Sequence, residues 1–471
     1  MVNSRTINTV WPSAVKFRED RPLKTRVIVV RHGESTFNVK RIIQGHHDES
    51  LLTEKGEAQA RRVGQFLKGI TIDVAYCSPL KRAARTAALI AETVGLSCAP
   101  EPTDLLKEIS LPLWEAKSFA DVEVEYPDEY RAWRHQPNDL KMAVPQADGT
   151  TQMFYPVRAI WQQAAKFWQG LLDKHQGKTV LVVAHSAINR ALVGTAIGLG
   201  PESLNRMYQA NCGVSVLNFP GEWGERAQLE SMNSTSHMGT PIPVLRSGFK
   251  GPRLLLVRHG ETEWNRESRF QGQIDIPLND NGRAQAAQAG EFLKVIPIDG
   301  AVSSSMMRPK ETAEIILQQH PSVSLAVTEG LWEISHGQWE GKFEHEIKAE
   351  FPGMLDAWQA QPETVQMPDG ENLQDVWARA VDAWEAIVTQ YSHQKTPQTV
   401  LVVAHDAINK SILCYVTGLG PEAFWQFKQG NGAVSVIDYP DGVGSEPMLS
   451  AANITAHLSG SLFDTTAAGA L

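Results

Sequence analysis

The strongest constraint on this chain is that two long stretches of its sequence occur twice. VIVVRHGESTFN at 27–38 returns as LLLVRHGETEWN at 254–265, and TVLVVAHSAIN at 179–189 returns as TVLVVAHDAIN at 399–409. The second pair is displaced by 220 residues (399 minus 179), and the same displacement carries His237 onto His457. Similarity of this length without a gap predicts a tandem duplication of one folding unit.

The length of the chain agrees with two units, because 471 residues exceed what one hydrophobic core usually organises. We predict an N-terminal arm at 1–23, a first unit at 24–240, a linker at 241–251 and a second unit at 252–471. The linker is assigned to a stretch that contains glycine and proline.

Composition excludes several classes of partner. The net charge of −9 does not suit a nucleic-acid-binding surface. No apolar run approaches the roughly 18 residues that a membrane span needs. The four cysteines form neither a CxxC motif nor a cluster with histidine, which is typical of reduced thiols. We therefore expect a cytoplasmic protein that binds a small molecule, with neither nucleic acid nor membrane as a partner. Sequence gives no oligomeric state.

Each unit alternates short β-branched runs with helical patterns, which predicts an α/β fold with a mainly parallel sheet and helices on both faces. In the first unit RVIVV, DVAYC and KTVLVVA are predicted strands. Thr53 and its counterpart Asn279 are predicted helix N-caps. Arg31–His32, Ser78 and His185 each follow a predicted strand, so we expect their side chains to meet at one edge of the sheet.

Each unit thus offers two arginines, two histidines, one glutamate and one asparagine. Paired guanidinium groups suit a phosphate dianion, and an imidazole whose tautomer is fixed can attack phosphorus. A nearby carboxyl can protonate the leaving oxygen, and such a site needs no metal ion. The candidates are Arg31, His32, Asn38, Arg82, Glu108 and His185 in the first unit, and Arg258, His259, Asn265, Arg308, Glu333 and His405 in the second.

These motifs carry a family resemblance over nearly the whole chain, twice. RHGE followed by Ser or Thr after a strand, SxxxRxxxTA, an acidic loop and a late strand followed by His resemble the histidine phosphatase superfamily, which includes phosphoglycerate mutases and metal-free phosphatases. The resemblance implies two tandem phosphoglycerate mutase-like domains without a cofactor or metal. It implies that His32 and His259 become phosphohistidine and that Glu108 and Glu333 are proton donors.

The same resemblance assigns the remaining residues. The phosphate holders would be Arg31, Asn38, Arg82 and His185 in the first unit and Arg258, Asn265, Arg308 and His405 in the second, with substrate contacts from Gln44–Gly45 and Gln271–Gly272.

Other readings of single residues stay open. Glu108 and Glu333 could be ordinary loop glutamates, and the stripe formed by Trp161, Trp168, Trp377 and Trp384 indicates core packing rather than substrate stacking. His46 and His47 are replaced by Gln273 and Ile274 in the second unit, which disfavours a metal site. The second unit keeps PDGEN at 368–372 where the first has ADGTT. We predict two competent pockets, with one working and one merely binding or bracing unit as the alternative.

The segment after each donor loop, at 119–139 and 343–363, is acidic and aromatic. In the resembled family a longer basic insertion there is typical of mutases, so a phosphomonoester hydrolase acting on small phosphorylated sugars or sugar acids is predicted. The tandem arrangement is similar to that of enzymes that hydrolyse 2-carboxy-D-arabinitol 1-phosphate. Alternatives are a phosphoglycerate mutase, a phosphoserine-type phosphatase, or a phosphate-ligand-binding regulatory protein with one inactive domain.

Overall fold

The computed structural model describes residues 24–394, 396–442 and 444–467, so the N-terminal arm predicted for 1–23 lies outside the described residues. The strands are β1 (Thr25–Arg31), β2 (Val74–Cys77), β3 (Glu101–Pro102), β4 (Met142–Pro145), β5 (Thr151–Phe154), β6 (Thr179–Ala184), β7 (Val214–Phe219), β8 (Gln228–Ser234), β9 (Arg253–Arg258), β10 (Gly300–Ser304), β11 (Leu325–Thr328), β12 (Thr399–Ala404), β13 (Val434–Asp438) and β14 (Met448–Ile454).

The α-helices of the described residues are α1 (Thr36–Lys40), α2 (Glu54–Phe66), α3 (Lys81–Val94), α4 (Phe119–Glu125), α5 (Pro127–His135), α6 (Pro156–Leu172), α7 (Ser186–Ile197), α8 (Glu263–Glu267), α9 (Asp280–Leu293), α10 (Met307–Leu317), α11 (Glu344–Glu350), α12 (Met354–Ala360), α13 (Leu373–Ser392), α14 (Asp406–Thr417) and α15 (Ala456–Ser459). None of the helices in this part of the chain is long and apolar enough to cross a membrane.

Twelve strands form one sheet that runs through both units, in the order β11-β10-β12-β9-β13-β14-β8-β7-β1-β6-β2-β3. The four outer strands on each side pair in parallel, and the four inner strands pair antiparallel. The predicted α/β fold with a mainly parallel sheet is confirmed. The antiparallel centre was not predicted. β4 and β5 form a separate hairpin.

The two units meet where β8 pairs antiparallel with β14, with Ala452 opposite Met232. Between β1 and β9 the sheet makes five successive antiparallel pairings, through β7, β8, β14 and β13. An odd number of reversals makes β9 run opposite to β1. The carboxyl ends of the parallel strands therefore lie on opposite edges of the sheet in the two units.

Local chemistry explains the element boundaries. The side chain of Thr53 accepts a hydrogen bond from the Gly56 N–H, and that of Asn279 accepts one from the Gly282 N–H, so both predicted N-caps are confirmed. The strands β1, β6, β9 and β12 are almost entirely buried, as expected for strands covered by helices on both faces.

The hydrophobic core crosses the boundary between the units. Trp161, Trp168 and Trp384 are buried in one cluster that contains residues of both units, and Trp377 is half-buried against it, which confirms the tryptophan stripe as core. Ile242 from the predicted linker packs into a cluster of the second unit, whereas Leu462 from the C-terminal segment packs into a cluster of the first. The linker therefore completes part of the core of the second unit, and the C-terminal segment completes part of the core of the first.

Candidate active site

The sheet register brings the two histidines of each unit together. Arg31 on β1 lies opposite Ala184 on β6, so the next residues, His32 and His185, leave adjacent strand ends. Their ring centroids are 5.1 Å apart in an edge-to-face arrangement, and both rings are buried. In the second unit the corresponding distance, between His259 and His405, is 5.2 Å.

The tautomer of the first histidine is fixed in both units. His32 Nδ1 lies 2.7 Å from the carbonyl oxygen of Gly33, and His259 Nδ1 lies 2.7 Å from that of Gly260. Because a carbonyl oxygen can only accept, Nδ1 carries the proton and Nε2 keeps its lone pair. In the second unit Arg308 Nε donates to His259 Nε2 at 3.3 Å, which agrees with this assignment.

The second arginine begins a helix and is fixed by main-chain carbonyls. Arg82 lies in the first turn of α3 and donates to the carbonyl oxygens of Gly45 and His47, at 2.9 and 3.0 Å. Arg308, in the first turn of α10, donates to Gly272 and Ile274 at 2.7 and 3.3 Å. Burial lowers the pKa of both arginines to about 10, so both guanidinium groups remain charged at neutral pH.

The first arginine of each motif is also fixed by a distant carbonyl. Arg31 Nη1 donates to Gln209 O at 2.8 Å, and Arg258 Nη1 donates to Gln429 O at 2.6 Å. The loops that supply these carbonyls precede β7 and β13, the first antiparallel strands of the two units.

The side-chain oxygens of Asn38 and Asn265 are occupied by hydrogen bonds from neighbouring residues. Asn38 Oδ1 accepts from Ser35 and from Asn211 Nδ2, and Asn265 Oδ1 accepts from the Thr262 N–H and Asn431 Nδ2. An amide whose oxygen is occupied in this way presents only its NH₂ group, which suits an anionic ligand.

The glutamates are held at helix N-termini. Glu108 Oε1 accepts from the N–H groups of Ala187 and Ile188 in α7, at 3.0 and 3.1 Å. Glu333 accepts from those of Asp406 and Ala407 at the start of α14. Burial raises the pKa of Glu333, and the neighbouring Asp406 carboxylate raises it further. Each carboxyl thus lies at the N-terminus of the helix that directly follows the second histidine of its unit.

Burial lowers the pKa of all four histidines well below the ordinary value, and the adjacent arginines lower it further. All four rings are therefore neutral at pH 7. For His32 and His259 this leaves the Nε2 lone pair available for attack on an electrophile.

Several buried polar side-chain atoms of the candidate site residues have no partner among the described residues. They are Arg31 Nε, Arg82 Nε and Gln271 Nε2, together with Nδ1 of His185 and of His405. Buried polar groups are nearly always hydrogen-bonded, so unpartnered atoms on the candidate residues of both units are consistent with a ligand that has several acceptor oxygens. A tetrahedral phosphate group meets that description.

The residues predicted to contact the substrate, Gln44–Gly45 and Gln271–Gly272, act partly through main-chain carbonyls. The carbonyls of Gly45 and Gly272 fix the second arginines, and the left-handed backbone at both glycines allows that approach. Gln44 and Gln271 accept through Oε1 from the hydroxyls of Ser35 and Thr262.

Sequence reasoning placed Ser78 at this edge of the sheet and included the serines and threonines in the SxxxRxxxTA motif, but it assigned them no contact in the site. Ser78 and Ser304 hydrogen-bond to Nε2 of the second histidines, at 2.8 and 3.0 Å. Thr86 and Thr312 accept from the N–H of Gly33 and Gly260. The available signal was the duplication itself, because each of these residues recurs at its aligned position.

The remaining repeated histidines have structural partners. His237 and His457 bond to the carbonyls of Cys212 and Gly432 and stack on Phe66 and Phe292.

His46 is not repeated. Its Nε2 contacts the Glu108 carbonyl at 2.8 Å, and in the second unit Gln273 makes the corresponding contact with the Glu333 carbonyl. In the described part of the chain no group of three or more His, Cys, Asp or Glu residues is arranged to hold a metal ion.

Comparison with known proteins agrees with this geometry. The family described as histidine phosphatase superfamily (branch 1) matches residues 27–235 and 254–449. A 2-carboxy-D-arabinitol-1-phosphatase of Triticum aestivum is 30% identical over 464 residues, covering 92% of this chain and 86% of the relative. A probable 2-carboxy-D-arabinitol-1-phosphatase of Arabidopsis thaliana is 33% identical over 451 residues, covering 92% and 88%.

Shorter proteins match one unit. Phosphoserine phosphatase 1 of Hydrogenobacter thermophilus is 30% identical over 206 residues, covering 44% of this chain and 94% of the relative. Among solved structures, a mycobacterial glucosyl-3-phosphoglycerate phosphatase is 28% identical with a TM-score of 0.40, covering 43% of this chain and 100% of that protein.

Proposed function

This chain belongs to the histidine phosphatase superfamily, and from that membership we propose that it is a phosphomonoester hydrolase that works through phosphohistidine at His32 and His259 without a metal ion. The single observation that carries the proposal is the neutral Nε2 of each first histidine beside buried guanidinium groups. A neutral nucleophile among fixed cations favours attack on a phosphoryl group.

The proposed reaction has two steps in each pocket. In the first, Nε2 attacks phosphorus, the bond between phosphorus and the ester oxygen breaks, and Glu108 or Glu333 gives its proton to the leaving oxygen. In the second, water attacks the phosphoryl group, the phosphorus–nitrogen bond breaks, and the same carboxylate takes a proton from the water. The two arginines and the second histidine stabilise the charge on the equatorial oxygens in both steps.

We propose that both units, 24–240 and 252–471, form domains with working pockets. The support is that the nucleophile, its carbonyl partner, both arginines and the donor carboxyl stand in matching contacts in the two units. Because the pockets lie on opposite edges of the sheet, each is expected to bind and release its own substrate.

The proposed substrate is a small phosphorylated sugar or sugar acid, with 2-carboxy-D-arabinitol 1-phosphate as the first compound to test. Relatives that bear the name of its phosphatase match across both units, whereas the phosphoserine phosphatase matches only one. The acidic segments that contain α4–α5 and α11–α12 agree with hydrolysis rather than phosphoryl exchange between isomers.

The test is phosphate release in the presence of EDTA by the intact chain and by His32→Ala, His259→Ala and the double variant. p-Nitrophenyl phosphate and 2-carboxy-D-arabinitol 1-phosphate serve as substrates. We expect each single variant to keep one share of the activity and the double variant to keep none. If one single change abolishes turnover of both substrates, the other unit is only a support. Isomer exchange without net phosphate release would indicate a mutase instead.

A further inference from the structure

The two pockets differ in the residue that follows the second histidine. In the second unit this residue is Asp406, whose carboxylate lies 3.3 Å from Arg258 Nη1 and 2.6 Å from Lys410 Nζ. All three side chains are at most 7% exposed. A carboxylate and two cations therefore form a buried network, and part of the positive charge of Arg258 is compensated within the protein.

The first unit has no such network. Ser186 stands in the place of Asp406, and Arg190 stands in the place of Lys410. Arg190 donates to the carbonyls of Leu204 and Ser186, and among the described residues no carboxylate forms an ion pair with it. Burial lowers the pKa of Arg190 to about 10. The Glu108 carboxylate raises this pKa, and the positive charges of Arg246 and Arg31 lower it. Arg190 thus has no direct ion-pair partner in the described part of the chain, and the Glu108 carboxylate is the negative charge that acts on it most.

The linker adds a further cation, the exposed side chain of Arg246. The guanidinium carbon of Arg246 lies 5.5 Å from the ring centroid of Tyr208, and the positive charge of Arg246 contributes to lowering the pKa of Arg31. The residue 220 positions later is Thr466, whose hydroxyl accepts from the Asn431 N–H. Near it, Asp464 pairs with Lys428 at 3.5 Å, the residue that replaces Tyr208.

We propose that the two pockets select substrates by the charge of the group attached to the phosphate ester. The first pocket takes phosphomonoesters that carry a carboxylate, which Arg190 and Arg246 attract. The second takes phosphomonoesters whose remaining part is an uncharged polyol or sugar, because Asp406 neutralises one positive charge there and weakens the attraction for a second anionic group. The selection therefore depends on the difference in positive charge between the two pockets. This inference rests on the proposed hydrolase activity.

The experiment compares two one-pocket enzymes, His259→Ala with only the first nucleophile and His32→Ala with only the second. The substrates are 3-phosphoglycerate and glycerol 3-phosphate, which differ only by a carboxylate in place of a hydroxymethyl group. We expect the ratio of kcat/KM for the acid to that for the alcohol to be at least about tenfold higher in His259→Ala than in His32→Ala, which corresponds to about 1.4 kcal/mol.

The outcomes separate this inference from the proposed function. Equal ratios in two enzymes that both hydrolyse p-nitrophenyl phosphate overturn the charge selection alone. Absence of hydrolysis of all three substrates by both one-pocket enzymes and by the intact chain overturns the proposed function and the selection with it.

Substitutions then identify the residues responsible. Ser186→Asp in the His259→Ala enzyme is expected to lower the ratio several-fold, and Asp406→Ser in the His32→Ala enzyme is expected to raise it. Arg246→Gln is expected to lower the ratio in the first pocket, whereas Lys250→Gln, which removes an exposed cation from the same linker, is the matched control. An equal fall in the ratio with Lys250→Gln would mean that only the net charge of the protein acts, and the proposal would be wrong.

Discussion

The glycine after each first histidine decides which nitrogen of the ring can react. Its carbonyl accepts from Nδ1, so the lone pair on Nε2 is directed away from the main chain. The environment of the proposed proton donor affects its pKa. Glu333 accepts main-chain hydrogen bonds from a helix N-terminus, while burial and Asp406 raise its pKa. Its proton is therefore retained to a higher pH than that of an exposed glutamate.

Replacement of the donor should affect substrates according to their leaving group. In the His32→Ala background, Glu333→Gln is expected to lower kcat for an alkyl phosphate by about 10²–10⁴-fold, the usual contribution of a general acid. The loss should be much smaller for p-nitrophenyl phosphate, because nitrophenolate leaves without a proton. Steady-state kinetics with both substrates checks this, with Glu108→Gln in the His259→Ala background as the matched variant. Equal losses for both substrates would show that Glu333 does not protonate the leaving group.

At the scale of elements, helices hold the loop that carries His32, the proposed nucleophile. A Cβ added to Gly33 would lie 2.3 Å from the carbonyl oxygen of Gly56 in α2, so only glycine allows this close approach. From the other side, Thr86 of α3 accepts from the Gly33 N–H at 3.1 Å and donates to the Arg82 carbonyl at 2.7 Å. One hydroxyl thus links the nucleophile loop to the helix that carries the second arginine.

Thr86→Val tests this link, because valine keeps the shape of the side chain and removes the hydroxyl. The Gly33 N–H would be left buried without a partner, at an expected cost of about 1–3 kcal/mol in the free energy of unfolding. Activity of the first pocket should fall in the His259→Ala background, and Thr86→Ser should restore it. Denaturant unfolding and kcat measure the two effects. Full activity of Thr86→Val with reduced stability would limit the threonine to a structural role.

At the scale of the whole molecule, one asparagine connects each pocket to the other unit. Asn233 accepts from the Ala210 N–H and donates to the Ser450 carbonyl, at 2.8 and 2.7 Å. Asn453 accepts from Gly430 N–H and donates to the Glu230 carbonyl, both at 2.7 Å. Both asparagines have left-handed backbone conformations, with φ of 54° and 49°. The loops they hold are the loops whose glutamine carbonyls fix the first arginines.

Asn233→Gly should therefore weaken substrate binding in the first pocket although it lies at the junction between the units. Glycine keeps the positive φ, so the main effect is the loss of the bridge between Ala210 and Ser450. We expect a higher KM for the first pocket, measured in His259→Ala, and no change in KM for the second, measured in His32→Ala. Asn453→Gly should give the reverse pattern. A fall in Tm with both KM values unchanged would contradict this role.

The buried histidines also predict how stability depends on pH. Burial lowers the pKa of His237 and His457 to about 4 and that of His336 to about 3. Their pKa in the unfolded chain is about 6.5, so below that pH the unfolded state binds more protons than the folded state. Stability should be full above pH 6.5 and should fall towards pH 4, by up to about 1.4 kcal/mol per pH unit for each histidine. Denaturant unfolding at several pH values measures the slope, and His237→Gln should reduce it.

The sequence alone determined the duplication and the α/β class, and it predicted most of the residues that we propose for each pocket. The pocket residues could be predicted because parallel strands place their carboxyl ends at one edge of a sheet. Polar residues that directly follow buried strands therefore lie close together. His32, Ser78 and His185 follow from this rule without any knowledge of distances.

Only the tertiary structure decided how the units combine and how the pockets differ. Pairing of β8 with β14 depends on main-chain hydrogen bonds between edges, for which the side chains give no distinct signal. The contact of Asp406 with Arg258 joins residues about 150 positions apart, and the contact of Arg246 with the Tyr208 ring depends on the path of the linker. Such contacts are set by packing of the whole chain, so residue types and spacing could not reveal them.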